Sequence, residues 1–291
     1  MNNIKKILVT GANGQLGSEI KELATNYPNF EFIFTDIADF PLDIEQEIIS
    51  NFKAIQPDIV INCAAYTAVD KAETDSVVAD AINHLAIATL ATLCNNSGAK
   101  LIHVSTDYVF DGTSPIAYKE DDLPNPKSVY GVTKLAGEIA CLKNDPDSII
   151  IRTAWVYSEF GNNFVKTMLR LMSERDTLNV VNDQVGSPTY AADLAQVILI
   201  ILDSNKWEPG VYHFSNAGEI SWFDFAVSIK EMGQKSCVVN GIPASNYPTP
   251  AERPAYSLLD KSKIKAVYGI EPIDYKVSLQ IMMERLVNSE K

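Results

Sequence analysis

The stretch Ile7-Leu8-Val9-Thr10-Gly11-Ala12-Asn13-Gly14-Gln15-Leu16-Gly17 decides the fold. A short aliphatic run enters a glycine turn and leaves it as a helix over 14–24. In such a turn one glycine permits the sharp bend, another lets the backbone approach a diphosphate, and a third lets helix and strand pack closely. The helix N-terminus then offers free amides and a partial positive charge. The spacing is GxxGxxG rather than GxGxxG, and by itself it equally fits a turn with no ligand. Context favours a dinucleotide. Asp36 stands 19 residues past Gly17, at the end of a strand over 31–35, where an acid meets the adenosine ribose hydroxyls.

Working outward, short apolar runs alternate with helical patterns. Strands are expected over 58–63, 101–105 and 148–153, and helices over 44–54, 76–96 and 130–143. Near-continuous apolar strands separated by helices predict an α/β fold, a Rossmann-type doubly wound parallel sheet covered on both faces. After Trp155 the pattern changes to helices over 163–173, 190–202, 221–232 and 274–287, with a loop over 242–254 that holds four prolines. This predicts a dinucleotide-binding domain over 1–154 with return segments near 185–213. A smaller C-terminal α/β substrate domain would take 155–184 and 214–291.

Two further constellations carry chemistry. Tyr130-Gly131-Val132-Thr133-Lys134 places a phenol and an ammonium one helical turn apart on the same face. A phenol is a weak acid or base unless a cation stabilises its phenolate, and Lys134 is placed to do so. YxxxK alone also fits an amphipathic surface helix. Ser105-Thr106-Asp107-Tyr108-Val109-Phe110 follows the strand over 101–105, so Thr106 emerges at the carboxyl edge of the sheet, where open α/β sheets bind ligands. Ordinary turn chemistry would explain it equally well. The order decides: glycine loop, acid, strand-end hydroxyl, then YxxxK.

Bulk properties agree with a globular catalyst. The 291 residues are 46% hydrophobic and 21% charged, which suffices for a large core. A net charge of −13 repels nucleic acid and anionic membranes, so neither is expected as a partner. The longest purely aliphatic run, Val197 to Leu202, is too short for a membrane span, and the start from Met1 to Gly17 lacks a signal-peptide core. Cys63, Cys94, Cys141 and Cys237 form no CxxC and suggest a reducing, cytoplasmic setting. His84, His103 and His213 have no metal-ligand spacing, and no metal is expected. Asp36 repels a 2′-phosphate and Ile37-Ala38-Asp39 adds no cation, which predicts NADH in preference to NADPH.

Taken together, these residues resemble the extended short-chain dehydrogenase/reductases, and more narrowly the dTDP-4-dehydrorhamnose reductases. The narrower resemblance rests on Asn62-Cys63-Ala64-Ala65-Tyr66-Thr67-Ala68-Val69-Asp70-Lys71-Ala72-Glu73, on Ser105 through Gly112, and on Val129 through Glu138. Arg152 through Tyr157, Gly161 through Phe164 and Thr249 through Pro254 extend it over essentially the whole chain. The resemblance implies reduction of the C4 keto group of a dTDP-linked keto-sugar. Tyr130 would be the proton donor, Lys134 its electrostatic partner and Thr106 the hydroxyl that positions the oxygen. Gly11, Gly14, Gln15, Leu16 and Gly17 would surround the cofactor diphosphate, Asp36 the ribose, and Asp43-Ile44 the adenine. Ala64, Ala65, Tyr66 and Val104 would border the cofactor further along. Thr106, Asp107, Tyr130 and Trp155 would contact the sugar, and Arg253 its diphosphate; a core tryptophan and a surface arginine are the plainer readings of the last two. Some relatives join as dimers through Mg²⁺ held by glutamates. Glu19 fits one such position, but Ala192 stands where another acid is expected, so a homodimer is left open without a metal. The competing readings are a nucleotide-sugar epimerase that retains NAD and a catalytically silent regulatory subunit. Tyr108 after Asp107, where dehydratases carry a second acid, argues against dehydration.

Overall fold

The computed structural model describes residues 4–204 and 206–289, so the first three residues of the start lie outside the described residues. The first half lays down β1 (Lys5–Thr10), α1 (Gln15–Leu23), β2 (Phe30–Phe34), α2 (Glu45–Ile55), β3 (Ile59–Asn62), α3 (Val69–Ala72), α4 (Ser76–Asp80), α5 (Ala86–Ser97), β4 (Lys100–Thr106), α6 (Val129–Asn144) and β5 (Ile149–Thr153). The second half adds β6 (Val156–Tyr157), α7 (Phe164–Glu174), β7 (Thr177–Val181), β8 (Val185–Gly186), β9 (Thr189–Tyr190) and α8 (Ala191–Asp203). It continues with β10 (Gly210–His213), β11 (Ile220–Ser221), α9 (Trp222–Met232), β12 (Val238–Ile242), α10 (Ser262–Tyr268) and α11 (Tyr275–Ser289).

The main sheet is six-stranded, in the order β10-β5-β4-β3-β1-β2, and every pairing is parallel. Its cores follow from the two-residue period of a strand. Ile7, Val9, Ile61, Ile102 and Ile151 face α1 and α8 through Leu16, Ile20, Leu194 and Ile198. Leu8, Val60, Leu101 and Ile150 face the other way, against Ile48 and Phe52 of α2 and Ile87 and Leu90 of α5. Both faces are buried, so the strands are apolar at every position. Each fully buried aliphatic side chain contributes about 1.5–3 kcal/mol. The strand order reverses between β1 and β3, and the crevice at the carboxyl ends there is where such sheets bind ligands.

Helices α4 and α5 are joined by a π-helical turn, Ala81–Leu85. The turn brings the buried Asn83 inward, where its amide accepts from the Tyr66 amide N–H at 2.9 Å and donates to the Tyr66 carbonyl at 3.1 Å and Thr133 Oγ1 at 3.2 Å. The loop after β3 is thereby tied to α6. The continuous stretch Ser76–Ser97 is 22 residues and contains an 18-residue window of mean hydropathy 1.6, so by length and composition it could cross a membrane. Here Ala86, Ile87, Leu90, Ala91 and Cys94 pack it into the protein.

The C-terminal half has its own core. Tyr157, Val165, Met168, Phe225, Ile229, Leu279 and Met282 bring together α7, α9 and α11, flanked by the parallel pair β7 and β12. Ser221 caps α9, and Asp224 completes a reciprocal capping box. β10 returns to the main sheet beside β5, and Ile264 of α10 joins the core under that sheet. The proline-bearing loop carries a short 3₁₀ turn at Ala244–Asn246. The four cysteines are free.

Candidate active site

The glycine loop divides its labour in a way that the structure makes explicit. Gly11 has φ +66°, and a Cβ there would sit 2.8 Å from the Ala64 backbone. A Cβ on Gly17 would strike the Gly11 carbonyl and lie 2.6 Å from Ala12 Cα, so this glycine lets α1 pack on the turn. Gly14, the N-cap of α1, is less confined by the protein: its Cβ would meet only the Gly11 carbonyl, at 3.2 Å. No side chain caps α1 there, so its free amides face the cleft. The structure thus leaves open space above Gly14 for an anion.

That cleft has a volume of about 510 Å³ and is lined by Gly11, Gly14, Gln15, Leu16, Asp36, Asp43, Ala64, Ala65, Val104, Tyr130 and Lys134 among others. Eleven expected residues from six segments therefore meet in one crevice. Asp36 is held rigidly: its carboxylate accepts from the Asn13 and Ile37 amides, each at 2.7 Å. Three expected cofactor residues do not line the cleft. Gly17 is buried in the first turn of α1, against the Gly11–Ala12 backbone. Ile44 is the N-cap of α2 and half exposed. Tyr66 turns its hydroxyl to Asp75 at 3.1 Å. Gly161 and Asn162 line the cleft although the residue pattern alone did not single them out for it. They arrive on the loop after β6, anchored where Asn163 donates to Gln15 Oε1 at 2.9 Å.

At the carboxyl edge of β4, Thr106 and Asp107 are both buried. The Thr106 hydroxyl donates to Asp107 Oδ1 at 3.1 Å. Asp107 Oδ2 is buried and makes no hydrogen bond, although the Ser257 hydroxyl lies near enough to favour its charge. A buried acceptor without a donor is costly, and a sugar hydroxyl would satisfy it. Burial raises the Asp107 carboxyl to about 6. Burial raises Tyr130 to about 12, with the nearby Thr106 hydroxyl pulling it partly back, so the phenol enters the reaction protonated. Tyr108 packs edge-on against it at 5.4 Å. Lys134 is also buried; loss of hydration lowers it to about 8, and its Nζ donates to the Val104 carbonyl at 2.7 Å.

The two remaining expected substrate contacts are each held by a partner. Trp155 has φ +50°, a strained backbone for a bulky residue, and its ring stacks on Trp222 at 3.7 Å. Gly186 allows that ring to approach, since a Cβ there would lie 3.1 Å from it. Arg253 is already engaged: NH1 and NH2 clamp Asp70 at 2.9 and 2.7 Å. Asp70 thus fixes the guanidinium and offsets part of its charge.

Glu19, Glu22 and Glu159 bring carboxylate oxygens within 4.8 Å of one another, a set able to hold a metal. Arg285 of α11 pairs with all three, so a guanidinium supplies the positive charge there. A wider groove of about 940 Å³ lies between α7, the end of α9 and α11. Of the residues above it shares only Asn162 with the cleft, and its Lys166, Arg170 and Lys235 are bonded to Gly161, Glu174 and Ser173.

Comparison with known proteins places this geometry in a family. Residues 5–288 match the family described as RmlD substrate binding domain. The chain is 40% identical over 285 residues to the dTDP-4-dehydrorhamnose reductase of Aggregatibacter actinomycetemcomitans, covering 94% of this chain and 97% of that one. It is 38% identical to the enzyme of the same name from Salmonella typhimurium, with 96% and 97% covered. A crystal structure of a dTDP-4-dehydrorhamnose reductase from Clostridium acetobutylicum superposes with a TM-score of 0.93 at 41% identity, covering 97% of this chain and 99% of that one. The Bacillus anthracis enzyme of that name, solved with NADP, gives 0.93 at 35% identity, covering 97% of this chain and 100% of that one. A UDP-glucose 4-epimerase from Thermus thermophilus, at 21% identity and a TM-score of 0.79, shares the fold alone. The chain belongs to the dTDP-4-dehydrorhamnose reductase family.

Proposed function

We propose that this chain reduces the C4 keto group of dTDP-4-dehydro-β-L-rhamnose to dTDP-L-rhamnose, the last step of dTDP-rhamnose synthesis, with a reduced nicotinamide nucleotide. The observation that carries the reading is the meeting of Tyr130 and Lys134 in the glycine-loop cleft, with the Thr106 hydroxyl beside Tyr130 and a buried Asp107 oxygen lacking a donor next to it. When bound, the nicotinamide supplies the hydride. The protein supplies the rest. Thr106 positions the carbonyl oxygen, Tyr130 gives it a proton, and Lys134 stabilises the phenolate that remains. Asp107 holds a sugar hydroxyl. Trp155, braced by Trp222, forms a wall of the sugar site. Tyr130→Phe is expected to lower kcat by about 10²–10⁴-fold while leaving cofactor affinity and thermal stability unchanged. Near-normal turnover of that variant would remove Tyr130 from the mechanism.

Asp36 supports NADH over NADPH. Its carboxylate is fixed by two backbone amides, and among the described residues it has no salt bridge to offset repulsion of a 2′-phosphate. Unit charges near 4 Å repel by about 1 kcal/mol in water, so kcat/KM should favour NADH by about fivefold or more. A higher kcat/KM with NADPH would overturn this part. The division into a dinucleotide domain over 1–154, with the 185–213 return, and a sugar domain is supported by the separate core of α7, α9 and α11. The acidic charge and lone cysteines support a cytoplasmic enzyme that binds neither nucleic acid nor membrane, and leave a homodimer open.

A further inference from the structure

Behind the cleft floor a buried polar chain crosses three strands and ends on α6. Thr10 Oγ1 donates to Asn62 Oδ1 at 2.6 Å, Asn62 Nδ2 lies 2.9 Å from His103 Nδ1, and His103 Nε2 lies 3.3 Å from Lys134 Nζ. All four residues are buried. Counting donors fixes the protons. Asn62 Nδ2 also donates to the Ala64 carbonyl at 3.2 Å, a group that only accepts, so the amide nitrogen faces His103. That nitrogen has no lone pair to offer, so His103 Nδ1 accepts. The proton of the neutral ring is then on Nε2, aimed at Lys134. An ammonium has only donors and would meet this N–H head-on, whereas an amine has a lone pair to accept it.

We infer that Asn62 and His103 form a tautomer lock behind Lys134: the imidazole, held as a donor through Nε2, favours the neutral amine in the cofactor-free protein. Burial keeps His103 well below its ordinary range and hence neutral. Burial lowers Lys134, while Glu138 and then Cys141 on its own helix oppose that. The other groups facing it are His103 from β4 and Tyr130 one turn earlier. Arg152 is committed to Glu138, which it clamps within 2.7–3.1 Å. His103 is thus a positioning residue, acting through Lys134. After Tyr130 has given its proton to the sugar oxygen, an N–H bond of the Lys134 ammonium breaks and the Tyr130 O–H re-forms. The amine left behind is stabilised by Nε2–H.

The catalytic part rests on the reductase reading, but the ring tautomer does not, and the two are measured separately. The intact protein labelled with ¹⁵N-histidine has only three rings, His84, His103 and His213. With His103→Gln to assign its signals, long-range ¹⁵N–¹H spectra should show His103 with a bare Nδ1 and a protonated Nε2, unchanged from about pH 6 to 9. A ring protonated on Nδ1, or on both nitrogens, would overturn the lock. In NADH oxidation, kcat/KM should fall as pH rises past about 8, as Lys134 loses its proton. His103→Gln offers Lys134 an acceptor, and Asn62→Asp reverses the ring. Each should move that limb up by about half to one pH unit, the value of one hydrogen bond. An unmoved or lowered limb contradicts the lock. If neither variant folds, the wild-type spectrum decides. Protein that oxidises no NADH yet shows the Nε2–H ring would refute the reductase reading and leave the lock standing.

Discussion

Two layers of aliphatic side chains grip the central sheet, whereas the C-terminal half is assembled around rings. Isoleucine, leucine and valine dominate both faces of the sheet. Beyond Trp155 the contacts are Trp155 on Trp222, Tyr157 on Tyr190, and Phe164 and Phe225 stacked beside them. The difference has a functional logic. In the proposed reading, the regular aliphatic platform carries the nicotinamide nucleotide. In the same reading, the buried rings behind Trp155 brace it, and its strained backbone turns it toward the sugar.

That contrast can be broken from either side. The largest effect is expected in the sheet half. Gly17→Ala places a methyl against the backbone of the glycine turn, and α1 cannot yield without losing its seat. Urea unfolding should report a loss of about 2–3 kcal/mol, together with weaker cofactor binding. Wild-type stability would show that the turn is plastic. In the C-terminal half, Trp222→Ala removes the ring beneath Trp155. It should raise KM for the sugar nucleotide by about 3–10-fold and leave cofactor affinity alone. An equal loss of both would deny that the halves divide the two ligands. The smallest effect concerns the seam, where Arg285 of α11 meets Glu19 of α1. Burial, then Glu159, raise the Glu19 carboxyl to about 8. A carboxyl raised on folding stabilises the protein while protonated, so that contribution fades as pH climbs from about 4.5 to 8. Glu19→Gln should flatten the decline of thermal stability across this window. An unchanged slope would mean that Glu19 ionises normally.

The same contrast governs what the sequence reveals. β1, β3, β4 and β5 are buried on both faces, so they read as unbroken apolar runs and were expected within a residue or two of where they lie. β10 is an edge strand of four residues opening on Gly210, and it gives no such run. β7 and β12 are half exposed, and Asn179, Asn240 and Gly241 interrupt them. The helix spacing of Tyr130 and Lys134 was legible because one turn separates them. The lock beneath was not, since Asn62, His103 and Lys134 meet only through the register of β3 on β4 and the packing of α6. Nor does any local pattern announce a tryptophan at positive φ, or the salt bridge that turns Arg253 toward Asp70.

The most direct test is to mix the purified protein with NADH and dTDP-4-dehydro-L-rhamnose and follow the reduced-nicotinamide absorbance. Catalytic loss of NADH, one equivalent per keto-sugar consumed, is the predicted result. No oxidation, with NAD held tightly in the purified protein, would contradict the reductase account and favour a hydride cycled internally, as in an epimerase.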